Sequence, residues 1–386
     1  RAESSPQPSA AGGGFDSRRE RGFEFQKLHG MGDDLYAEVI PADRLGVPCR
    51  VYAPVGSHED LLPYLVRRLL DNGANSSFVN RVTDESVAID ELIRDPVAAV
   101  QSFDSIRHPR IPLPRELLRS QNHDRTNSMG INLADDNALK ALAAELDQHT
   151  GPWQATALVP GAQPTGTAVT VTNPADRRQK VGSWTPADAA TVERALANAV
   201  AAQPGWNATP AADRAAILEK AAELLEAQTA KYMALCTAEA GKSLPDGIAE
   251  VREAVDFLRY YAMQAREKFA DVTLPGPTEE SNVLQLHGRG VFVCISPWNF
   301  PLAIFLGQVA AALAAGNSVI AKPAEQTTLI GFEAVKLLHE AGIPAAVLQY
   351  LPGDGATVGA ALTADPRVAG VAFTGSTETA RAINRA

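Results

Sequence analysis

Ser296-Pro297-Trp298-Asn299-Phe300-Pro301 follows directly on Val291 to Ile295, a continuous apolar run. That run is long enough for a buried strand and too short for a helix. Pro297 and Pro301 break the backbone behind it and leave Trp298 and Asn299 on a loop at the strand's C-terminal end, where open α/β sheets receive ligands. A side-chain amide at that point can donate to a developing oxyanion. Leu302 to Ala315, rich in Ala, Leu and Ile, reads as a buried helix closed by Gly316-Asn317. Ser318 to Ala321 is the next strand, and Lys322-Pro323-Ala324-Glu325 follows it. A carboxylate there can take both ribose hydroxyls of a dinucleotide while the ammonium anchors a hydroxyl or phosphate.

The alternation continues with a helix over Leu329 to Ala341, a strand over Val347 to Leu351, the glycine-rich Gly353-Asp354-Gly355 with Gly359, and a strand over Val368 to Phe373. Thr374-Gly375-Ser376 then opens a helix whose free backbone N–H groups suit a pyrophosphate. Each glycine alone is no more than a turn or a helix start. The fold class expected is therefore α/β.

In order and spacing, SPWNFP, KPAE and FTGS resemble the aldehyde dehydrogenases, and more narrowly the dehydrogenase half of the bifunctional proline utilization A family. The resemblance runs over about 170–386 and implies a Rossmann-like NAD site. It implies Asn299 as oxyanion donor, Lys322 and Glu325 on the adenosine ribose, and Ser296, Trp298, Gly355, Gly359, Gly375 and Ser376 near the nucleotide. That family's chemistry needs a cysteine thiolate and a glutamate base downstream of the third motif. The sequence stops ten residues past Ser376. The expectation is thus a fragment with an incomplete NAD-binding domain, lacking both groups and inactive in aldehyde oxidation. None of the three cysteines offers a substitute. Cys294 lies in an apolar strand and Cys236 in an Ala/Leu-rich helix, surroundings that keep a thiol protonated. Cys49, beside Arg50, belongs to another strand.

The N-terminal third carries a separate signal. Phe23 to Leu28 alternates like a strand, Cys49 to Val55 is another, and a helix over His58 to Asn72 ends at Gly73. Arg67 and Arg68 stand together in its apolar stretch; adjacent residues lie about 100° apart on a helix, so one guanidinium is expected near the buried face, in want of an anion. From about Gly22 to Arg81, FEFQ-LHGMG, R-YAPVG and YLVRRLL-NGAN-SFVNR resemble the last strands and final helix of the proline dehydrogenase (β/α)8 barrel of the same bifunctional family. That resemblance implies Tyr52, Arg67 and Arg68 as ligands of proline over a flavin, with Leu28, Ser77 and Phe78 near the FAD. Such a barrel takes about 250 residues to close, so only its end is expected.

The expected domains are a disordered 1–21, barrel residues 22–105, a linker with a short helix over 106–169, and the NAD-binding part over 170–386. Within them, His108 to Arg115 is proline-rich and extended, and Asp135 to Gln148 forms a short helix. Thr185-Pro186 is read as the start of a helix, and long helices as running from Pro210 to Ala240 and from Asp246 to Phe269. Arg252, Glu253, Asp256 and Arg259 are read as a solvated charge network.

A net charge of −10, from 35 basic and 45 acidic residues, argues against a general nucleic-acid surface. Three unpaired cysteines fit a reducing, cytoplasmic compartment. No metal-ligand pattern, membrane span or signal peptide is apparent. The resemblance implies proline and glutamate semialdehyde as substrates and a homo-oligomer for the complete enzyme. Two other readings are a non-catalytic NAD-binding or interaction module, and a single-function aldehyde dehydrogenase, which the LVRRLL region opposes.

Overall fold

The computed structural model describes residues 23–73, 81, 84–104, 110–120, 125–163 and 165–386. The expected disordered stretch 1–21, Ser77, Phe78 and the Arg68 side chain lie outside what is described, as does the start of the proline-rich linker. The chain divides into two units, Arg1–Pro109 and Arg110–Ala386, each taken by itself.

In the first unit, β1 (Phe25–Leu28) and β2 (Cys49–Tyr52) pair in parallel, with α1 (Asp33–Val39) between them in sequence and α2 (His58–Gly73) after them. β2 stops at Tyr52, short of the expected Val55, because Pro54 has no N–H to give a ladder.

In the second unit, a 3-10 turn (Pro114–Glu116) and a single helical turn (Leu117–Ser120) precede α3 (Asp136–Leu146), which is capped by the Asp135 carboxylate. A small sheet follows, β3 (Trp153–Ala155), β4 (Val169–Thr172) and β5 (Lys180–Trp184), in the order β3-β5-β4. Four helices come next: α4 (Ala189–Ala208), α5 (Ala211–Ala227), α6 (Thr229–Ala240) and α7 (Leu244–Lys268). After the β6 (Val272–Leu274) and β7 (Asn282–Leu284) hairpin, the main sheet is built from β8 (Val291–Ile295), α8 (Ala303–Ala314), β9 (Ser318–Lys322), α9 (Thr328–Ala341), β10 (Leu348–Tyr350), β11 (Val368–Phe373) and α10 (Thr377–Arg385).

Strand periodicity explains why that sheet is covered on both faces. Val291, Val293 and Ile320 pack with Val192, Ala195, Leu196 and Ala199 of α4, whereas Cys294, Val319 and Ala321 point the other way, into a core with α8, α9 and α7. All four strands are parallel, in the order β10-β9-β8-β11. α8 is buried on nearly every side, and α7 comes so close that a Cβ on Gly307 would stand 2.9 Å from the Phe257 ring.

Three expectations for the helices need correction. α4 begins at Ala189, because the Asp188 carboxylate accepts from the Thr191 N–H at 2.8 Å and its hydroxyl at 2.7 Å; Thr185-Pro186 precedes this cap. The stretch from Pro210 to Ala240 is two helices, broken at Gln228, where the Thr229 hydroxyl donates to the Glu226 carbonyl at 2.6 Å. α7 starts at Leu244, behind a Ser243 cap with Pro245 in its first turn. Of the charges on α7, Arg252 and Glu253 are exposed, as expected of a solvated network, but Asp256 is half-buried and Arg259 is buried. Arg259 is paired with Glu226 at 2.9 Å, Asp256 accepts from the Ser128 N–H and hydroxyl, each at 2.8 Å, and Arg252 donates to that hydroxyl at 3.2 Å. They fasten the segment around Ser128 to the helix, a task set by a partner more than a hundred residues away.

Candidate functional site

From β8 the chain steps outward through β9 to β10, then returns to lay β11 on the other side of β8. The C-terminal ends of β8 and β11 therefore flank the point where strand order reverses, the place where open parallel sheets bind ligands. The 296–301 loop leaves one of these ends and Thr374-Gly375-Ser376 the other. The Thr374 N–H donates to the Ile295 carbonyl at 3.1 Å. Gln308 of α8 ties the same two ends: with its amide nitrogen toward β8 it donates to the Ile295 carbonyl at 3.2 Å and accepts from the Thr374 hydroxyl at 2.9 Å.

Lys322 ends β9 with only 4% of its surface exposed, and its ammonium donates to the Pro323 carbonyl at 3.1 Å. Burial pulls this ammonium below the usual lysine range, against the opposing pull of Glu325 and Asp354. The Ser296 N–H donates to the Lys322 carbonyl at 3.3 Å, and the buried Ser296 hydroxyl has no hydrogen-bond partner among the described residues. Glu325 accepts from the Gly355 N–H at 3.1 Å, joining the loop after β9 to the one after β10. There Asp354 takes the Thr357 N–H at 2.7 Å and hydroxyl at 2.6 Å, and Gly355–Gly359 forms a wide π-type turn absent from the sequence-based reading. The Lys322 stem passes Gly359 at 3.6 Å from where a Cβ would stand.

These loops enclose a cavity of about 250 Å3 lined by Ile295, Lys322, Gly355, Gly359, Thr379 and Ile383, among others. Of the sequence-predicted residues, Lys322, Gly355 and Gly359 meet in its wall, and Glu325 reaches it through Gly355. Ser376 caps α10, its hydroxyl accepting from the Thr379 N–H at 3.2 Å. Gly375 is required for a steric reason, since a Cβ there would stand 2.6 Å from the Phe373 ring. Trp298 and Asn299 lie exposed on their loop. An apolar cradle, a buried ammonium, an orphan hydroxyl and an accepting carboxylate are a set of groups that suits the ribose part of a dinucleotide.

Cys236 and Cys294 are buried. Burial pushes the Cys294 thiol up to about 12 and that of Cys236 well above its usual range. Sequence reading missed two glutamates that hold the site from behind. Glu239 accepts from the Leu329 and Ile330 N–H groups of α9 at 2.7 and 2.9 Å, and Glu250 from those of Leu302 and Ala303 at 3.2 and 2.9 Å. No local spacing marks them, because their partners lie 90 and 52 residues further on.

In the first unit, Leu28 and Tyr52 are register partners at the C-terminal ends of the paired strands, the end at which parallel barrels carry their sites. Arg67 is exposed, so the expectation that at least one guanidinium of the pair lies near the buried face turns on Arg68, whose side chain, like Ser77 and Phe78, lies outside the described residues.

The chain belongs to the aldehyde dehydrogenase family, whose model matches residues 161–386. The proline dehydrogenase family model matches residues 10–81 of the same chain, which opposes a single-function aldehyde dehydrogenase. Bifunctional protein PutA of Klebsiella aerogenes is 51% identical over 373 residues, covering 94% of this chain and 27% of its own length. The 1-pyrroline-5-carboxylate dehydrogenase of Anoxybacillus flavithermus is 40% identical over 204 residues, 53% of this chain and 40% of that protein. A crystal structure of bifunctional proline utilization A superposes with a TM-score of 0.76 at 50% identity, over 95% of this chain and 34% of that one. The chain thus spans about a quarter to a third of the length of the bifunctional proteins it matches.

Proposed function

We propose that this chain is part of a bifunctional proline-catabolic oxidoreductase of cytoplasmic location, in which one half oxidises proline to pyrroline-5-carboxylate with FAD. The other half oxidises the derived glutamate semialdehyde to glutamate with NAD. The observation that carries the second half is the convergence of Lys322, Gly355 and Gly359 on one cavity beside the β8/β11 switch point, with Glu325 bonded to its rim. When bound there, NAD supplies the hydride acceptor. Glu325 would hold the ribose hydroxyls and the Lys322 ammonium would anchor the same sugar, while Ser296 offers a buried hydroxyl beside them. Asn299 has its own task. As a nucleophile adds to the aldehyde carbon, the carbonyl oxygen gains negative charge, and the Asn299 side-chain N–H donates to it.

Replacing Asn299 with Ala in a full-length protein carrying this sequence is expected to lower kcat for aldehyde oxidation by roughly 100- to 1,000-fold, with NAD affinity unchanged. An unchanged kcat would remove the donor assignment.

The proline half rests on the pairing of Leu28 with Tyr52 at the strand ends. Tyr52, Arg67 and Arg68 are assigned to proline, and Leu28, Ser77 and Phe78 to the flavin. Arg67→Met and Arg68→Met in the full-length protein are each expected to raise KM for proline by about one to two orders of magnitude at near-normal flavin content. Unchanged KM with lost flavin would make the pair structural.

A further inference from the structure

We propose that Lys242 and Glu250 are positioning residues for aldehyde oxidation, acting through the 296–301 loop. The inference rests on the reading that Asn299 is the oxyanion donor. Among the described residues the Asn299 side chain makes no hydrogen bond, and it is exposed, so its place is set by the backbone on either side. On the near side, the Ser296 N–H is tied to Lys322 of the neighbouring strand. On the far side, the anchorage comes from another layer of the fold.

Glu250, two turns into α7, is 1% exposed. One of its oxygens accepts from the N–H groups of both Leu302 and Ala303, where α8 begins. The other lies 3.0 Å from the Lys242 ammonium. That ammonium also stands 4.5 Å from the centre of the Phe300 ring, the residue directly after Asn299. One ion pair, its carboxylate buried and its ammonium half-buried, thus holds the loop at Phe300 through a cation–π contact and at Leu302 and Ala303 through charge-assisted hydrogen bonds. Neither side chain has a hydrogen bond or ion pair to any residue of the cavity wall. Their effect on the reaction passes through loop placement, to which a donor aimed at a developing charge is sensitive.

The test uses the full-length protein with Lys242→Met, which keeps the stem and deletes the charge, Lys242→Arg, which restores it, and Glu250→Gln. The measurements are steady-state kcat and KM for the aldehyde, NAD Kd by calorimetry, thermal melting temperature, and time-resolved anisotropy of Trp298, isolated by difference from a Trp298→Phe background. Lys242→Met is expected to lower kcat by roughly ten- to a hundredfold with NAD Kd within about twofold, and to add a fast component to the Trp298 decay. Lys242→Arg is expected to recover most of both. If Glu250→Gln fails to fold, the lysine pair alone decides. An unchanged kcat and Trp298 decay in Lys242→Met overturns the proposal. So does a parallel loss of NAD affinity and thermal stability that Lys242→Arg does not rescue. If Lys242→Met frees Trp298 while Asn299→Ala leaves kcat unchanged, the oxyanion reading falls and the anchoring of the loop stands.

Discussion

Glu325 occupies a position where its carboxylate meets a backbone N–H of the next loop at 3.1 Å, so it is oriented before any ligand arrives. Two charge-assisted hydrogen bonds from ribose hydroxyls to such a group account for an expected roughly ten- to hundredfold rise in NAD Kd for Glu325→Ala. The same carboxylate opposes a 2′-phosphate, so NAD is expected to bind more tightly than NADP. Calorimetric titration of both cofactors into both proteins measures these effects together, and equal affinities would displace Glu325 from the ribose. The cysteines give a second expectation at this scale. Cys236 and Cys294 are sealed in the core with raised thiol pKa, while Cys49 is partly accessible. A thiol reagent at pH 8 is therefore expected to label the native 386-residue chain once, at Cys49, and three times after denaturation. With Cys236 and Cys294 sealed in the core and protonated, these 386 residues by themselves are expected to turn over no aldehyde with NAD.

At the scale of elements, α8 and α9 both start on a glutamate carboxyl group borrowed from the helices beneath them. Glu239 is fully enclosed, and burial raises its carboxyl from the usual 4.5 to about 8 despite the N–H groups that face it. Between those two values the native chain keeps a proton that the unfolded chain has released. Stability from this group therefore falls as pH rises from about 4.5 to about 8, and levels off above. Glu239→Gln cannot titrate, so thermal melts across that range are expected to show a smaller decline than wild type, from a lower starting stability. Identical slopes would dismiss the assignment. The strands and loops of this region were legible because their signal is local. Val291–Ile295 and Val368–Phe373 begin and end where their apolar runs do, and the prolines of the 296–301 loop stop the strand before them. What was not legible is what acts across distance. The Asp188 cap outcompetes Thr185, Gln228 breaks a uniformly helical stretch, and Arg259 finds Glu226 on another helix. In the site, Lys322 and Glu325 announce themselves by standing at a strand end, whereas Glu239, Glu250 and Gln308 look like any polar residue of a helix until their partners are in place.

For the molecule as a whole, the order of the main sheet sets a schedule. β8, β9 and β10 are joined by short helical crossovers, but β11 must come back past two strands to reach β8. Closing the loop from Ile295 to Val368, roughly 70 residues, is the longest step in assembling the site, and long-range parallel pairing is slow. β11 is also less deeply buried than β8 or β9 and, among the described residues, pairs with β8 alone. Its amides are accordingly expected to exchange with solvent faster than those of β9, and saturating NAD is expected to slow them. Hydrogen exchange followed by mass spectrometry reads both, and equal protection of the two strands without ligand would refute the ranking. The cofactor site as proposed would then be a late-closing clasp: the half that carries Lys322 and Glu325 is expected to form first, and a dinucleotide gripping across the seam to hold β11 against it.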